Sequence, residues 1–318
     1  MDKLVSVVLI TYNSSAYIIE TLDSVTRQTY DNIELIISDD CSNDNTVDLC
    51  KKWLIDNGDR FSRVVILTCP YNTGISANCN RGFKAAKGYW IKLLAGDDIL
   101  LENCIKENVD YILQNSNIRV LQSDTYVIDE NSNVISKAIP IDNLFKLAPP
   151  CLQFKYFSIK YSCNTTTLFI ERDLLQEIGW IDEDIKMMED TQLYVRLMLY
   201  GEKLYFHDKV TTAYRFNLSS VSYDNRNTDV FYPSIFNYTV QTYDKYVLPN
   251  LSGILFWSQK YRMTIIRFLM NNPSINKRTI FSKCLYRLLN IPYLLLSQIS
   301  LFKIRVSIKR VIDNPINR

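Results

Sequence analysis

Four short apolar runs fill the first hundred residues, each ending in a polar cluster and each followed by a helix-like segment: "LVSVVLITY" (4–12), "IELIIS" (33–38), "RVVILT" (63–68) and "YWIKLL" (89–94). Unbroken apolar runs of this length suit strands buried on both faces, and strands that alternate with helices need right-handed crossovers. The pattern therefore predicts a parallel sheet covered by helices on both sides. The first crossover, "SSAYIIETLDSVTRQ", offers a serine cap followed by Ile18, Leu22 and Val25 at near-helical spacing; the second carries Val47, Cys50 and Leu54; the third, "NTGISANCNRGFKAAKG", closes at Gly88. Sheets of this kind bind ligands beyond the carboxyl ends of their strands, where the strand order reverses. Thr11, Asp39-Asp40, Asn72 and Asp97-Asp98 all fall at such ends and share one rim.

Composition narrows the chemistry. At 318 residues, 47% hydrophobic and 22% charged, the chain is that of a folded globular protein with length for one large domain or two modest ones. Its eight cysteines form no CxxC pair, which argues against a zinc site and for free thiols in a reducing, cytoplasmic compartment. The apolar run Leu4–Ile10 is too short for a signal peptide. The single histidine, His207 in "KLYFHDKV", reads as a half-buried structural residue, so Ser-His-Asp hydrolysis and multi-histidine metal sites are disfavoured. The third crossover has neither GxGxxG nor GxxxxGK[ST], which disfavours dehydrogenase-type dinucleotide binding and a P-loop.

Past residue 100, "LENCIKENVDYILQN" reads as helix and "RVLQSDTYVID" as strand, and Asn131 to Ser158 reads as irregular, with prolines at 140, 149 and 150. "NTTTLFIERDLLQEIGWID" gives strand, helix and turn, "MEDTQLYVRLMLYG" a helix with acids at its start, and "TTAYRFNLSSVS" a strand and polar loop. The first domain is read as 1–225, leaving 226–318 as a mainly helical, basic and amphipathic region.

Three acidic pairs hold the chemistry. Asp97-Asp98, after the buried run "WIKLLA", reads plainly as an Asx turn and more sharply as a site for a hard divalent cation. Asp39-Asp40, in "IISDDCSNDNT", suits helix capping and also hydrogen bonding to a base N–H or a ribose hydroxyl. Glu189-Asp190 sits at a helix N-terminus, where the dipole favours negative charge; a general base acting on a hydroxyl fits there too. A helix N-terminus beside a cation site suits a diphosphate, with Arg81 at hand.

The stretches "VSVVLITYN" (5–13), "ELIISDDCSNDNT" (34–46), "NTGISANCNRGFKAAKGYWIKLLAGDD" (72–98) and "MEDTQLYVRL" (188–197) resemble, in order and approximate spacing, the family 2 glycosyltransferases of the GT-A fold. The resemblance covers about residues 3 to 225. It implies an α/β, Rossmann-like, mostly parallel sheet sandwiched by helices, here with a C-terminal helical extension. It also implies an inverting transfer of sugar from a nucleoside diphosphate, UDP by family frequency, to a hydroxyl of a glycan or polyprenyl-linked acceptor in bacterial O-antigen, capsule or exopolysaccharide synthesis. By the same resemblance Asp40 contacts the base, Asp39 supports it, and Thr11, Tyr12, Asn13 and Asn72 line the nucleotide-sugar pocket. Arg81 lies near base and diphosphate, Asp98 binds Mn2+ or Mg2+, Asp97 meets ribose or metal, Asp190 is the catalytic base, and Glu189 positions it or touches the acceptor. Ala95 stands where the family's commonest form has an aspartate, which implies fewer protein ligands to the metal. "YRFNLSSVS" (214–222) lacks the histidine frequent in this late loop, leaving Asn217 or a serine to reach the diphosphate. A sugar nucleotidyltransferase and a non-catalytic nucleotide-sugar-binding protein remain as alternatives.

The net charge of +2 divides unevenly. From Lys277 onward nine Lys/Arg face Asp313 alone, a balance of +8, so residues 1–276 carry −6. The tail "YRLLNIPYLLLSQISLFKIRVSIKR" (286–310), interrupted by Asn290, Pro292, Ser297 and Gln298, falls short of a spanning helix and suits an interfacial one meeting anionic headgroups at the inner face of the cell membrane. Packing on the main domain or on a second copy in a homodimer is the equal alternative. No nucleic-acid-binding module accompanies the basic residues.

Overall fold

The computed structural model describes residues 3–115, 117–160, 163, 165–216, 229–231 and 233–313. In chain order the elements are β1 (Val5–Thr11), α1 (Ile18–Thr26), β2 (Ile33–Asp39), α2 (Thr46–Asn57), β3 (Arg63–Leu67), α3 (Ile75–Ala85), β4 (Trp90–Ala95), β5 (Ile99–Leu100) and α4 (Cys104–Gln114). They continue as β6 (Val120–Ile128), β7 (Val134–Lys137), α5 (Asn143–Leu147), α6 (Pro150–Ile159), β8 (Phe169–Glu171), α7 (Arg172–Glu177), α8 (Glu189–Tyr200), β9 (Tyr205–Arg215), α9 (Pro233–Thr242), α10 (Gly253–Met270) and α11 (Ile280–Asp313). The chain divides into two compact units. Unit 1 holds Met1–Pro140, Cys163–Asp190 and Leu204–Asn217; unit 2 holds Ile141–Ser162, Thr191–Lys203 and Leu218–Arg318. The boundary read near residue 225 lies outside the described residues.

Unit 1 is built on one mixed sheet in the order β3-β2-β1-β4-β8-β6-β9-β5, with β7 beside β6. The four runs that open the sequence form its parallel half: β1 lies between β2 and β4, and β3 follows β2. Register sets Thr11 opposite Asp39 and Ile10 opposite Ala95. The chain moves outward from β1 to β3 and then crosses back to β4, so the strand order reverses around the carboxyl end of β1. Beyond β4, β8 and β6 pair antiparallel, β6 and β9 parallel, and β9 and β5 antiparallel. Val5, Val7 and Leu9 of β1 pack with Leu22, Val25, Leu35, Ile37 and Trp53 in the core.

In unit 2, α11 packs along α10 and against α5 and α6. Arg305 of α11 pairs with Asp142 (3.0 Å), which also accepts from Tyr156 (2.6 Å), and Tyr261 of α10 donates to the Leu289 carbonyl (3.0 Å).

Two sequence expectations differ from the structure. Residues 131–158, read as irregular, contain β7, α5 and most of α6. The prolines taken as breakers start a helix instead: Pro150 occupies the first turn of α6, where its missing N–H costs nothing, and Asp142 caps α5 by accepting from Leu144 N–H (2.9 Å). In the tail, Asn290 and Pro292 do not interrupt the helix, which runs unbroken for 34 residues with Pro292 inside it. Among the described residues this helix alone is long and apolar enough to cross a membrane by length and composition, and a third of its apolar window is buried inside the protein.

Candidate active site

The rim begins where β1 and β2 end. Thr11 donates to Asp39 (2.8 Å), and Asp39 also accepts from the Ser42 amide (2.9 Å) and hydroxyl (2.5 Å), so this buried carboxylate shapes the turn into α2. Asn13, left-handed at φ 51, caps the same turn by accepting from Asn43 N–H (2.8 Å). Tyr12 projects at 45% exposure, an uncovered aromatic face at the mouth of the rim.

Asp40 points the other way. Its carboxylate accepts from the Thr73 amide (3.1 Å) and hydroxyl (2.5 Å), the Gly74 amide (2.8 Å) and Arg81 (3.0 Å), and Asn72 accepts from the same Gly74 amide (3.1 Å). Burial alone would raise its pKa, but the bonds from Thr73, Arg81 and Gly74 outweigh that and hold the carboxyl below its ordinary range. Arg81 also reaches Asn78 Oδ1 (2.9 Å) and Ser38 (3.1 Å), which fixes the guanidinium against the strand ends.

Asp97 and Asp98 follow β4. Asp98 is 2% exposed; its Oδ2 accepts from the Thr166 hydroxyl (2.7 Å) and its Oδ1 from the Arg215 amide (2.9 Å). Burial, then the neighbouring Asp97 charge, pushes its pKa up to about 7. Asp97 is less buried, burial raises it too, and among the described residues only its own N–H donates to its carboxyl. Burial outweighs the cations that act on these acids, Arg215 on Asp97 and Lys92 on Asp98, and carboxylate oxygens of this kind would suit a divalent cation that keeps water and phosphate oxygens as its other ligands. No group of three His, Cys, Asp or Glu side chains is assembled among the described residues, so the protein's share of such a shell would be Asp97 and Asp98. Below them, the fully buried Arg215 guanidinium donates to the Asp97 carbonyl (2.8 Å), pairs with Glu20 (2.6 Å) and lies over Tyr17 (4.3 Å).

Glu189 and Asp190 reach this wall because α3 holds the chain before them. Asn80 donates to the Ile181 carbonyl (2.7 Å) and accepts from its amide (2.9 Å), Ser76 donates to the Ile185 carbonyl (2.5 Å), and a Cβ on Gly74 would come within 2.9 Å of Lys186. The chain then turns at Met188 (φ 66) into α8. The buried Cys79 thiol on α3 registers the result: burial raises it well above its ordinary value, and the charges of Glu189, Asp190 and Asp40 add to that. Asp190 likewise raises Cys163, three residues from the Thr166 that bonds Asp98. Asp40, Glu189 and Asp190 are thus brought to the same helix, α3, while Asp98 lies at the carboxyl end of β4.

Burial, then the Asp190 charge, lifts Glu189 to about 8. At neutral pH it holds a proton that the unfolded chain gives up above about 4.5, so this group costs stability increasingly as pH rises from 4.5 towards 8. Glu189→Gln is therefore expected to match the parent's melting temperature near pH 5 and exceed it at pH 8.5 in thermal denaturation. A variant tracking the parent at both pH values would contradict this.

Sequence reasoning missed Thr166, Arg215, Ser76 and Asn80. Only an arginine inside an apolar strand, "TTAYRF", was visible as a signal. Asn217 and the serines of the late loop lie outside the described residues. His207 faces Glu107 (3.7 Å) and Tyr111 on α4, away from these acids.

The family profile for glycosyl transferase family 2 matches residues 6–179. Among curated relatives, the Escherichia coli UDP-Glc:alpha-D-GlcNAc-diphosphoundecaprenol beta-1,3-glucosyltransferase WfaP is 29% identical over 224 residues, covering 69% of this chain and 80% of its own. Among solved structures, residues 1–349 of S. aureus TarS in complex with UDP-GlcNAc align at TM-score 0.63 with 16% identity, over 98% of this chain and 91% of that one. The Pyrobaculum calidifontis mannosyltransferase PcManGT in complex with GDP-Man and Mn2+ aligns at 0.58 with 15% identity, over 99% and 88%. At these identities the structural likeness speaks for the fold.

Proposed function

The chain belongs to glycosyl transferase family 2, and from that premise we propose that it moves a sugar, with inversion, from a UDP-linked donor to a hydroxyl of a polyprenyl-linked glycan in bacterial surface-polysaccharide synthesis. The observation that carries this reading is that one helix, α3, ties together two acidic sites distant in sequence: Gly74 just before it donates to Asp40 (2.8 Å), and Ser76 and Asn80 on it hold the chain that leads into the adjacent pair Glu189 and Asp190. The relative WfaP, whose acceptor is a diphosphoundecaprenol-linked GlcNAc, supports the acceptor class.

Tyr12 offers a face to the base, and the Asp40–Arg81 pair with Thr73 and Gly74 forms the rigid side of its pocket. Asp98 and Asp97 would hold Mn2+ or Mg2+, which supplies positive charge to the departing diphosphate. Asp190 accepts the proton of the acceptor hydroxyl as its oxygen bonds to the anomeric carbon, while the bond from that carbon to the diphosphate oxygen breaks on the opposite face. Glu189, protonated at neutral pH, donates a hydrogen bond that orients the acceptor. A nucleotidyltransferase would form diphosphate from a triphosphate, and a binding protein would do neither. The test is incubation with UDP-, GDP- and dTDP-sugars and a polyprenyl-diphosphate glycan, with and without Mn2+. Metal-dependent release of UDP is expected, and no release of nucleoside diphosphate from any donor would refute the proposal.

Peripheral membrane association at the cytoplasmic face is part of the same proposal. Phe281, Leu288, Ile291, Leu295, Ile299 and Phe302 recur at helical spacing along α11 and are between 47% and 69% exposed, with exposed Lys283, Arg287, Lys309 and Arg310 on the same helix. Cutting the chain at residue 276 would strip α10 of its partner, so surface substitutions are the cleaner probe. Leu288→Glu, Leu295→Glu and Phe302→Glu combined should lower flotation with anionic liposomes at least about tenfold, since each buried apolar side chain contributes about 1.5–3 kcal/mol. Undiminished flotation would remove α11 from that role.

A further inference from the structure

We propose that unit 2 carries a phosphate-binding site of its own, in a cleft of about 210 Å³ between the N-terminus of α10 and the sides of α11 and α6. Its polar lining residues are Lys155, Lys303, Ser252, Ser300 and Ser307, the last with its hydroxyl already bonded to the Lys303 carbonyl (3.0 Å), and Leu251 and Leu255 are among its apolar ones.

Four observations converge. Ser252 is the N-cap of the 18-residue α10, yet its side chain makes no capping bond and no acid stands in the first turn. The first intrahelical bond runs from Phe256 N–H to the Ser252 carbonyl (3.3 Å), so the amides of Gly253, Ile254 and Leu255 precede it with the positive end of the helix dipole uncompensated. Lys155 and Lys303 are exposed, no carboxylate pairs with either among the described residues, and no acid lines the cleft. Finally, Ser300 is 5% exposed and its hydroxyl has no hydrogen-bond partner. An unpartnered buried hydroxyl on a residue that lines the cleft is costly unless a ligand or water completes it, and the charged groups of the lining are both cations.

The size selects the ligand class. About 210 Å³ falls below the roughly 300–1,000 Å³ of small-molecule pockets, so the cleft admits a tetrahedral anion with a few carbons and excludes a nucleotide sugar. The lysines and amides take the phosphate oxygens, Ser300 donates to one of them, and Leu251 and Leu255 cover a short apolar stem. Every lining residue belongs to unit 2, so this binding is a property separate from the donor chemistry of unit 1.

The test is isothermal titration of the full-length chain with two probes, inorganic phosphate and dihexanoylphosphatidic acid, each with a parallel UDP titration. Lys155→Gln/Lys303→Gln, at exposed positions whose replacement leaves the fold alone, should weaken both probes about tenfold or more and leave UDP affinity unchanged. Ser300→Ala should weaken them about threefold and, by deleting an unpartnered buried hydroxyl, raise the ligand-free melting temperature by about 2–4 °C; a serine of structural use only would lower it. Tighter binding of the lipid probe identifies a lipid phosphate as the ligand, and equal binding identifies free phosphate. Failure of both probes to bind up to about 10 mM, or equal binding to the double variant and the parent, overturns the proposal. Failure of UDP to bind bears on the donor site alone.

Discussion

Asp190→Asn is expected to lower the rate of sugar transfer by about 10²–10⁴-fold while UDP affinity stays within about twofold of the parent, the span that general-base catalysis contributes. The substitution keeps the side chain's shape and removes its capacity to accept a proton. Asp190 stands at the start of α8, where Ser76 and Asn80 hold the preceding chain against α3, so the geometry survives the change. It is not among the donors and acceptors around Asp40, which is why donor binding should be spared. Single-turnover assays at saturating donor separate the two quantities. Near-parental turnover would remove Asp190 from the role of base.

Asp40→Ala should produce the largest loss of stability, about 3–5 kcal/mol, because it leaves a largely buried guanidinium uncompensated. Arg81 is 21% exposed and Asp40 3%; the Thr73 amide loses its acceptor as well, and the Gly74 amide keeps only its longer bond to Asn72 (3.1 Å). Denaturant melts measure the cost, and UDP binding should disappear with the pocket wall. The pH dependence follows from the depressed pKa: Asp40 contributes stability that is fully present above its unfolded value, near 3.8, and is lost as pH falls through the lower folded value. The variant should accordingly lose less stability than the parent on acidification below about pH 4. A loss under about 1 kcal/mol would mean that water replaces the carboxylate and that the pocket wall is not built on it.

Much of the parallel half of unit 1 was legible because each strand announces itself locally. The runs that became β1, β2, β3 and β4 are apolar, five to seven residues long and closed by polar clusters, so they need no distant partner to be recognised. The rim followed from the same logic, since residues just past those runs must lie at carboxyl ends. What was not legible depends on partners far away in the chain. Nothing local distinguishes Asp39, which shapes its own turn, from Asp40, whose partners Thr73 and Gly74 lie 33 and 34 residues on. Thr166 and Arg215 meet Asp98 across separations of 68 and 117 residues, and no spacing rule reaches that far. The prolines at 149 and 150 misled for another reason. Proline forbids a helix interior but suits a helix start, and the choice between these depends on whether the following residues find a surface to bury, as Phe154 and Phe157 do.

The proposed transfer requires a nucleoside diphosphate and a divalent cation to bind in unit 1 beside Asp190. Crystals grown with UDP and Mn2+ test this most directly through anomalous scattering from the manganese. The predicted map has its peak in direct contact with a carboxylate of Asp97 or Asp98, and the uracil ring lies between Tyr12 and the Asp40–Arg81 pair. UDP bound elsewhere, or a manganese peak remote from both aspartates, would contradict the proposed site.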